Sequence, residues 1–228
     1  MEQTKQERAP SKHKQPFFQD PHLIGQAPRL TVSLGILLTG IIYFFLPDEL
    51  TFGPGWGLLA IEGVLILPLW IFWLTGHTLS YRTTRTVSFV LLGLVTAALA
   101  LAVIFLITDL SSFKSGFKLL RTAGLLWAFN ILVFAFWYWE TDGGGPRKRH
   151  EAEHKAVDLL FPQQVDGNSE KWAAGFFDYL FVAFTGATAF SPTDTYPLTR
   201  RAKVLMMVEG ILSLTIVAIL ISRVANIF

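Results

Sequence analysis

Residues 184–201, FTGATAFSPTDTYPLTRR, place hydroxyl groups and one carboxylate between two apolar segments. An apolar run ends in this stretch, and another begins near Val204. Irregular backbone at membrane depth is tolerated only where it is buried in protein or lines water. The C-terminal end of a half-helix carries partial negative charge and favours cations. The stretch is therefore either the polar turn of a helical hairpin or the lining of a pore.

Three carboxylates lie within apolar segments, namely Glu62, Asp178 and Glu209. A charge at the centre of a membrane helix costs about 2.5–3.5 kcal/mol on insertion scales, so such residues usually face a cavity or a partner. Glu62 and Glu209 each lie within about two turns of their helix start and could also reach the membrane interface. Asn130 is expected to make an interhelical hydrogen bond.

A third candidate is HEAEH, His150 to His154, which matches the H-E-x-x-H zinc motif. On a helix, both imidazoles would lie on one face. The preceding Arg-Lys-Arg would repel a dication, no third ligand stands out, and alternating charge in a surface loop explains the pattern better. The sequence therefore predicts neither a metal site nor an enzyme, and it indicates no cofactor.

The composition is typical of a membrane protein. Of the 228 residues, 52% are hydrophobic and 16% are charged, whereas soluble domains carry about 25% charge. The net charge of +2 is too small to suggest a nucleic-acid partner. The chain has no Cys, which excludes disulfides and thiolate sites.

Five segments are long and apolar enough to cross the bilayer. They are 30–46, 56–75, 87–107, 119–139 and 204–224, and a sixth, 172–190, is either a full span or a re-entrant half-helix.

The predicted fold is an all-α integral membrane protein with about five transmembrane helices and a re-entrant pore-type half-helix. It divides into a polar segment 1–29, expected to be disordered, a three-helix region 30–118, and a region 119–228 with an outer helix, a polar loop, the pore-type helix and an inner helix. Residues 150–160 could add a short amphipathic helix, and Trp137 to Trp139 are typical of an interfacial aromatic belt.

The Lys and Arg distribution favours a cytoplasmic N-terminus, with 15 such residues inside and 4 outside when 172–190 dips from the cytoplasmic face. If 172–190 spans fully, the N-terminus remains inside.

The segment from Trp172 onward resembles the pore loop and inner helix of potassium channels. Those carry T-x-T-T-V-G-Y-G-D after a pore helix, often followed by x-Y-P-V-T, and this chain has TDTYPLT. Asp194 takes the position of the family's Asp, Thr188 that of the first adjacent threonine, and Phe190 that of the filter Val. The filter's Gly-Tyr-Gly is replaced by Ser191-Pro192-Thr193, so strict potassium selectivity does not follow.

The resemblance implies a channel or channel-like protein with a degenerate, weakly cation-favouring filter, working as a homotetramer on monovalent cations. The pore residues would be Thr185, Thr188, Ala189, Phe190, Ser191, Pro192, Thr193, Asp194 and Thr195. The chain also resembles uncharacterised bacterial membrane proteins with a similar segment, which implies a multi-pass protein of the bacterial plasma membrane. The alternative is a non-conducting scaffold or a small-solute transporter using the three intramembrane acids.

Overall fold

A computed structural model describes residues 27–75, 80–108, 115–168, 172–188 and 194–225. In these residues the chain is mostly helical, which agrees with the predicted all-α class. The helices are α1 Ala27–Phe44, α2 Gly57–Leu74, α3 Tyr81–Thr108, α4 Gly116–Thr141, α5 Pro146–Glu151, α6 Phe176–Thr188 and α7 Arg200–Ala225. Two short strands, β1 Leu159–Leu160 and β2 Tyr196–Pro197, pair antiparallel. Single 3-10 turns occupy Asp48–Leu50, Asp142–Gly144 and Pro162–Gln164.

Three helical stretches among the described residues are long and apolar enough to cross a membrane. They are Arg82–Thr108, Gly116–Gly144 and Arg200–Ser222. They correspond to the third, fourth and fifth predicted spans. The first two predicted spans correspond to α1 and α2, whose described apolar portions are shorter, so a total of five spans remains a prediction.

Helix α4 is the centre of the bundle, because it packs against α1, α3, α6 and α7. Of the apolar part of α4 that could cross a membrane, 61% is buried inside the protein, whereas only 17% of the corresponding part of α7 is buried. This position contradicts the predicted aromatic belt at the end of α4 for two of its three residues, while Trp137 is half-buried. Tyr138 and Trp139 are buried, and the Trp139 indole packs edge-on against the rings of Phe176 and Tyr179.

Helix α4 ends at a run of three glycines. Gly143, Gly144 and Gly145 have φ values of 58°, 80° and 99°, a backbone region that side chains disfavour. Pro146 then begins α5, where its fixed φ suits the first helical position. The predicted amphipathic helix over 150–160 is therefore wrong, since α5 begins earlier and ends at Glu151.

The buried carboxylate of Asp142 joins the end of α4 to α6 and to β1. It accepts hydrogen bonds from the Tyr179 hydroxyl at 2.6 Å and from the Leu159 N–H at 3.2 Å. The neighbouring guanidinium of Arg149 donates to the carbonyls of Trp139 and Asp142 at 2.7 and 2.8 Å. It also lies 4.9 and 5.0 Å from the ring centroids of Trp139 and Tyr179. The Asp142 carboxylate and the Arg149 cation are thus buried with hydrogen-bond partners, as buried charges need to be.

Asp158 extends this polar cluster to the start of α7. Its carboxylate accepts from the Gly143 N–H at 2.9 Å and from the Thr199 hydroxyl at 2.6 Å. Its carbonyl accepts from the Leu198 N–H at 2.8 Å, and its own N–H donates to Asp142 at 3.2 Å. The loop after α4 therefore holds both α6 and the segment that leads into α7.

Replacing Asp142 by Asn should destabilise the fold by about 1–3 kcal/mol, because the loss of charge weakens its hydrogen bonds and the new NH₂ forces the Tyr179 hydroxyl to accept instead of donate. Thermal unfolding of the detergent-solubilised chain measures the effect. Asp166→Asn is the matched control, since Asp166 is exposed. Equal stability of the two variants would contradict the role given to Asp142.

Candidate functional site

Helix α6 is shorter than a membrane span. Its 13 residues extend about 20 Å, whereas the hydrocarbon core is about 30 Å thick. Asp178 stabilises its start, because its Oδ2 accepts a hydrogen bond from the Gly175 N–H at 2.7 Å. Asp178 is half-buried in the first turn. This acid, which was predicted to lie within the membrane, thus bonds to the backbone at the start of its own helix.

The two faces of α6 meet different surroundings. Tyr179, Val182, Ala183 and Ala187 are buried, and α6 packs against α4 and α7. The opposite face exposes three rings, which belong to Phe177, Phe181 and Phe184. The small residues Ala183 and Ala187 let the neighbouring helices approach closely, as small residues do in membrane bundles.

The C-terminal end of α6 is tied to both flanking helices. The carbonyl of Ala187 accepts hydrogen bonds from the Trp127 indole at 3.4 Å and from the Ser213 hydroxyl at 2.5 Å. Thr185 and Thr188 are half-buried, and their hydroxyls donate to the Phe181 and Phe184 carbonyls at 2.9 and 3.0 Å. Two predicted pore residues therefore lie on the last turn of a fixed helix.

The remaining predicted pore residues follow this helix end. Ala189, Phe190, Ser191, Pro192 and Thr193 lie outside the described residues. Asp194 is exposed and Thr195 is buried, and both directly precede β2. The pairing of β2 with β1 fixes the backbone just beyond them.

Glu209 lies fully buried where α7 meets α4 and α6. The Tyr138 hydroxyl donates to its Oε2 at 2.5 Å, and the Asn130 amide donates to its backbone carbonyl at 3.3 Å. The predicted interhelical hydrogen bond of Asn130 is thus confirmed. A methyl group added to Gly186 would lie 2.9 Å from Glu209 Oε2, so the bare Cα of this glycine makes room for the carboxyl group.

Glu62 is also fully buried, but it has different partners. Its Oε1 lies 3.0 Å from the Thr39 hydroxyl, between α1 and α2, and that hydroxyl also lies 2.6 Å from the Ile36 carbonyl. A side chain at Gly40 would overlap with this carboxyl group. Glu62, Asp178 and Glu209 share no hydrogen-bond partner among the described residues, so each carboxylate has its own setting.

The HEAEH segment does not form one helical face, because α5 ends at Glu151 and both Glu153 and His154 have positive φ values. The two imidazoles still approach, with 3.4 Å between His150 Nδ1 and His154 Nε2. In the part of the chain that the structure describes, no three metal-ligating side chains gather. That the chain is not an enzyme remains a prediction.

Sequence reasoning missed the residues that position this site. Tyr138, interpreted as interfacial, is the hydrogen-bond donor to Glu209. Arg149, counted as a loop charge, is buried beside Tyr179. The acids within apolar segments did indicate that polar partners lie nearby. Their positions in the sequence do not identify which residues those partners are.

The fold and the site define a helical membrane protein, with helices long enough to cross a bilayer and a shorter apolar helix tied between two of them. Comparison of the chain with protein-family models, curated proteins and solved structures found no match.

Replacing Gly186 by Ala should be about 1 kcal/mol less favourable to stability than the same change at Gly124, because the added methyl group would press on the Glu209 carboxyl group and offset the helix propensity that both variants gain. Gly124→Ala is the matched control, since no other atom lies within 4 Å of a methyl group there. The control should be neutral or slightly stabilising through helix propensity. Thermal unfolding of both variants measures the difference, and equal stability of the two variants would contradict the close approach.

His154 should make the fold sensitive to acid. Burial, followed by the nearby His150 and Arg149, lowers the pKa of His154 below its usual value. The unfolded chain then binds a proton first as pH falls through about 6.5, so stability is lost on acidification below that pH.

Asn tolerates the positive φ of this position, so His154→Asn is the suitable variant. Melting temperatures between pH 8 and 5 should fall less steeply for this variant than for the wild type. Parallel curves would show that His154 does not contribute.

Proposed function

We propose that the chain is an ion channel or channel-like membrane protein whose pore loop is α6 with the segment that returns to β2. The observation that carries the proposal is the short apolar helix α6, clamped at its C-terminal end by Trp127 of α4 and Ser213 of α7. A helix that ends inside the membrane points its carbonyl end toward the following segment, which would then lie at membrane depth.

The surroundings of α6 support this arrangement. Helix α4 takes the place of an outer helix and α7 that of an inner helix, and both pack against α6. The segment that follows carries hydroxyl groups, and Asp194 is exposed beyond it. Hydroxyl and carboxylate oxygens favour cations over anions, and the replacement of the filter glycines favours weak selectivity.

One copy of the chain contributes one pore loop, so enclosing a path requires symmetry mates. The exposed rings of Phe177, Phe181 and Phe184 and the largely exposed α7 offer apolar surface for such contacts. A homotetramer in the plasma membrane is the proposed form.

Reconstitution into planar bilayers tests conduction. The wild type should pass monovalent cations, and Thr188→Val should change the unitary conductance because it removes a hydroxyl near the path. Thr108→Val is the matched control, since Thr108 ends an apolar helix and makes the same kind of hydroxyl-to-carbonyl bond, at 3.2 Å to Ile104. A changed unitary conductance in both variants, or in neither, would count against a lining role for Thr188.

Asp194→Asn should reduce cation conductance about two-fold or more at low salt and less at high salt, because ions screen a surface charge. Asp166→Asn, a change at another exposed Asp, should leave the conductance unchanged. The absence of single-channel currents under varied pH, voltage and tension would overturn the channel proposal. So would a monomer in native mass spectrometry of the purified protein.

The alternative proposal is a scaffold or transporter built on the buried acids. It is favoured by the full burial of Glu62 and Glu209, which are both costly to place in a membrane. Cysteine labelling distinguishes the two proposals, and the chain has no Cys of its own to interfere. Reagent access to residues 188–195 from water favours the pore, and protection of all of them favours the alternative.

A further inference from the structure

A cleft of about 340 Å³ lies where the chain leaves α1 and meets the start of α4. Residues 45–49 line one wall, and Lys118, Arg121 and Thr122 of α4 line the other. Among the described residues, none of the predicted pore residues and neither of the fully buried acids lines this cleft. It lies at the opposite end of α4 from the polar cluster around Asp142.

The wall that follows α1 has a fixed position. Leu46 and Leu50, on either side of the 3-10 turn that begins at residue 48, are both buried in the hydrophobic core. Glu49 in this turn accepts a hydrogen bond from the Lys118 ammonium at 2.8 Å, which joins the turn to α4. The cleft is therefore formed by the packing of the chain itself.

Two opposite charges in the cleft are not used by the fold. Asp48 and Arg121 are exposed and both line this space. In the part of the chain that the structure describes, neither side chain forms an ion pair or a hydrogen bond, with each other or with another residue. Glu49 and Lys118 already neutralise each other. The charges left over are one carboxylate and one guanidinium, which together complement a ligand with one positive and one negative group.

The rim of the cleft is apolar. Phe44 and Phe45 are each 52% exposed, and Phe117 and Leu120 of α4 are also exposed. Helix α1 ends at Phe44, and the part of α4 that is long enough to cross a membrane begins at Gly116. The cleft thus lies where apolar helices meet water, a level at which exposed aromatic rings are common. Phospholipid headgroups carry their charges at this level, with the acyl chains beside the apolar helix surface.

We propose that this cleft binds a zwitterion with a phosphate and a primary ammonium group, as found in the headgroup of phosphatidylethanolamine. The planar guanidinium of Arg121 donates to the phosphate oxygens, a geometry that suits arginine better than lysine. Asp48 accepts from the ammonium N–H groups, and the apolar rim contacts the rest of the lipid. The site is separate from the pore loop, so it does not depend on the proposed channel.

Lipid-dependent stability of the purified full-length chain tests the proposal. Melting temperatures are measured in detergent micelles with added phosphatidylethanolamine, phosphatidylcholine or phosphatidylglycerol of identical acyl chains. A ligand that binds only the folded state raises the melting temperature. We expect phosphatidylethanolamine to raise it by about 3–6 °C at roughly ten times its dissociation constant. The other two lipids should raise it less, because a trimethylated ammonium has no N–H to donate and phosphatidylglycerol has no ammonium.

Two variants locate the two halves of the site. Asp48→Asn should remove the preference for phosphatidylethanolamine over phosphatidylglycerol, and Arg121→Gln should weaken the response to all three lipids. Neither side chain bonds to another described residue, so both variants should fold like the wild type without lipid. Asp166→Asn and Arg201→Gln are the matched controls, since these residues are exposed and lie outside the cleft. Both controls should keep the preference of the wild type.

A soluble ligand separates the two sources of this chemistry. Glycerophosphoethanolamine carries the same headgroup without acyl chains, and it is added to lipid-free micelles. Stabilisation by the lipid alone supports a headgroup site, and equal stabilisation by the soluble compound supports the same cleft as a site for a free zwitterion. An equal response to the three lipids, or a preference that persists in both Asp48→Asn and Arg121→Gln, overturns the proposal. These measurements involve no current, so their failure would leave the channel proposal untouched.

Discussion

The buried carboxylate of Asp142 is the constraint on which the arrangement around α6 depends. A carboxylate at the end of α4 needs donors, and it finds them in Tyr179 of α6 and in the backbone of β1. Arg149 then binds the carbonyls at the end of α4 and packs on the Tyr179 ring. Through Asp158 the same cluster reaches the start of α7. The loop after α4 thus holds α6 near its start and the segment that leads into α7.

Much of the fold could be predicted because apolar length decides which segments can cross a bilayer. The third, fourth and fifth predicted spans correspond to helices of membrane length. An apolar helix within 172–190 could also be predicted, and α6 lies within that range. Composition alone could not decide whether the segment dips into the membrane or crosses it, because both leave the same apolar pattern. That choice depends on tertiary contacts.

The partners of the buried polar groups could not be predicted. Glu209 was expected to face a cavity or a partner, but nothing in the sequence pairs it with Tyr138 across the bundle. Trp-Tyr-Trp at a helix end is typical of a membrane interface, but here α6 packs on Trp139 and the Tyr138 hydroxyl bonds to Glu209 of α7. Arg149 sits among other basic residues, yet it alone of the Arg-Lys-Arg run is buried. Such long-range pairings depend on how the helices pack, and the hydropathy of the sequence does not determine that packing.

The carbonyl of Ala187 has a consequence for any ion that passes near α6. A carbonyl oxygen has two lone pairs, and here Trp127 and Ser213 use both. This oxygen is saturated and cannot replace a water molecule in an ion's hydration shell. The same two donors also offset part of the negative potential at the helix terminus. In the pore proposed above, dehydration of a permeating ion would be compensated by oxygens other than this carbonyl, which would make side-chain hydroxyls more important than in a filter built from backbone alone.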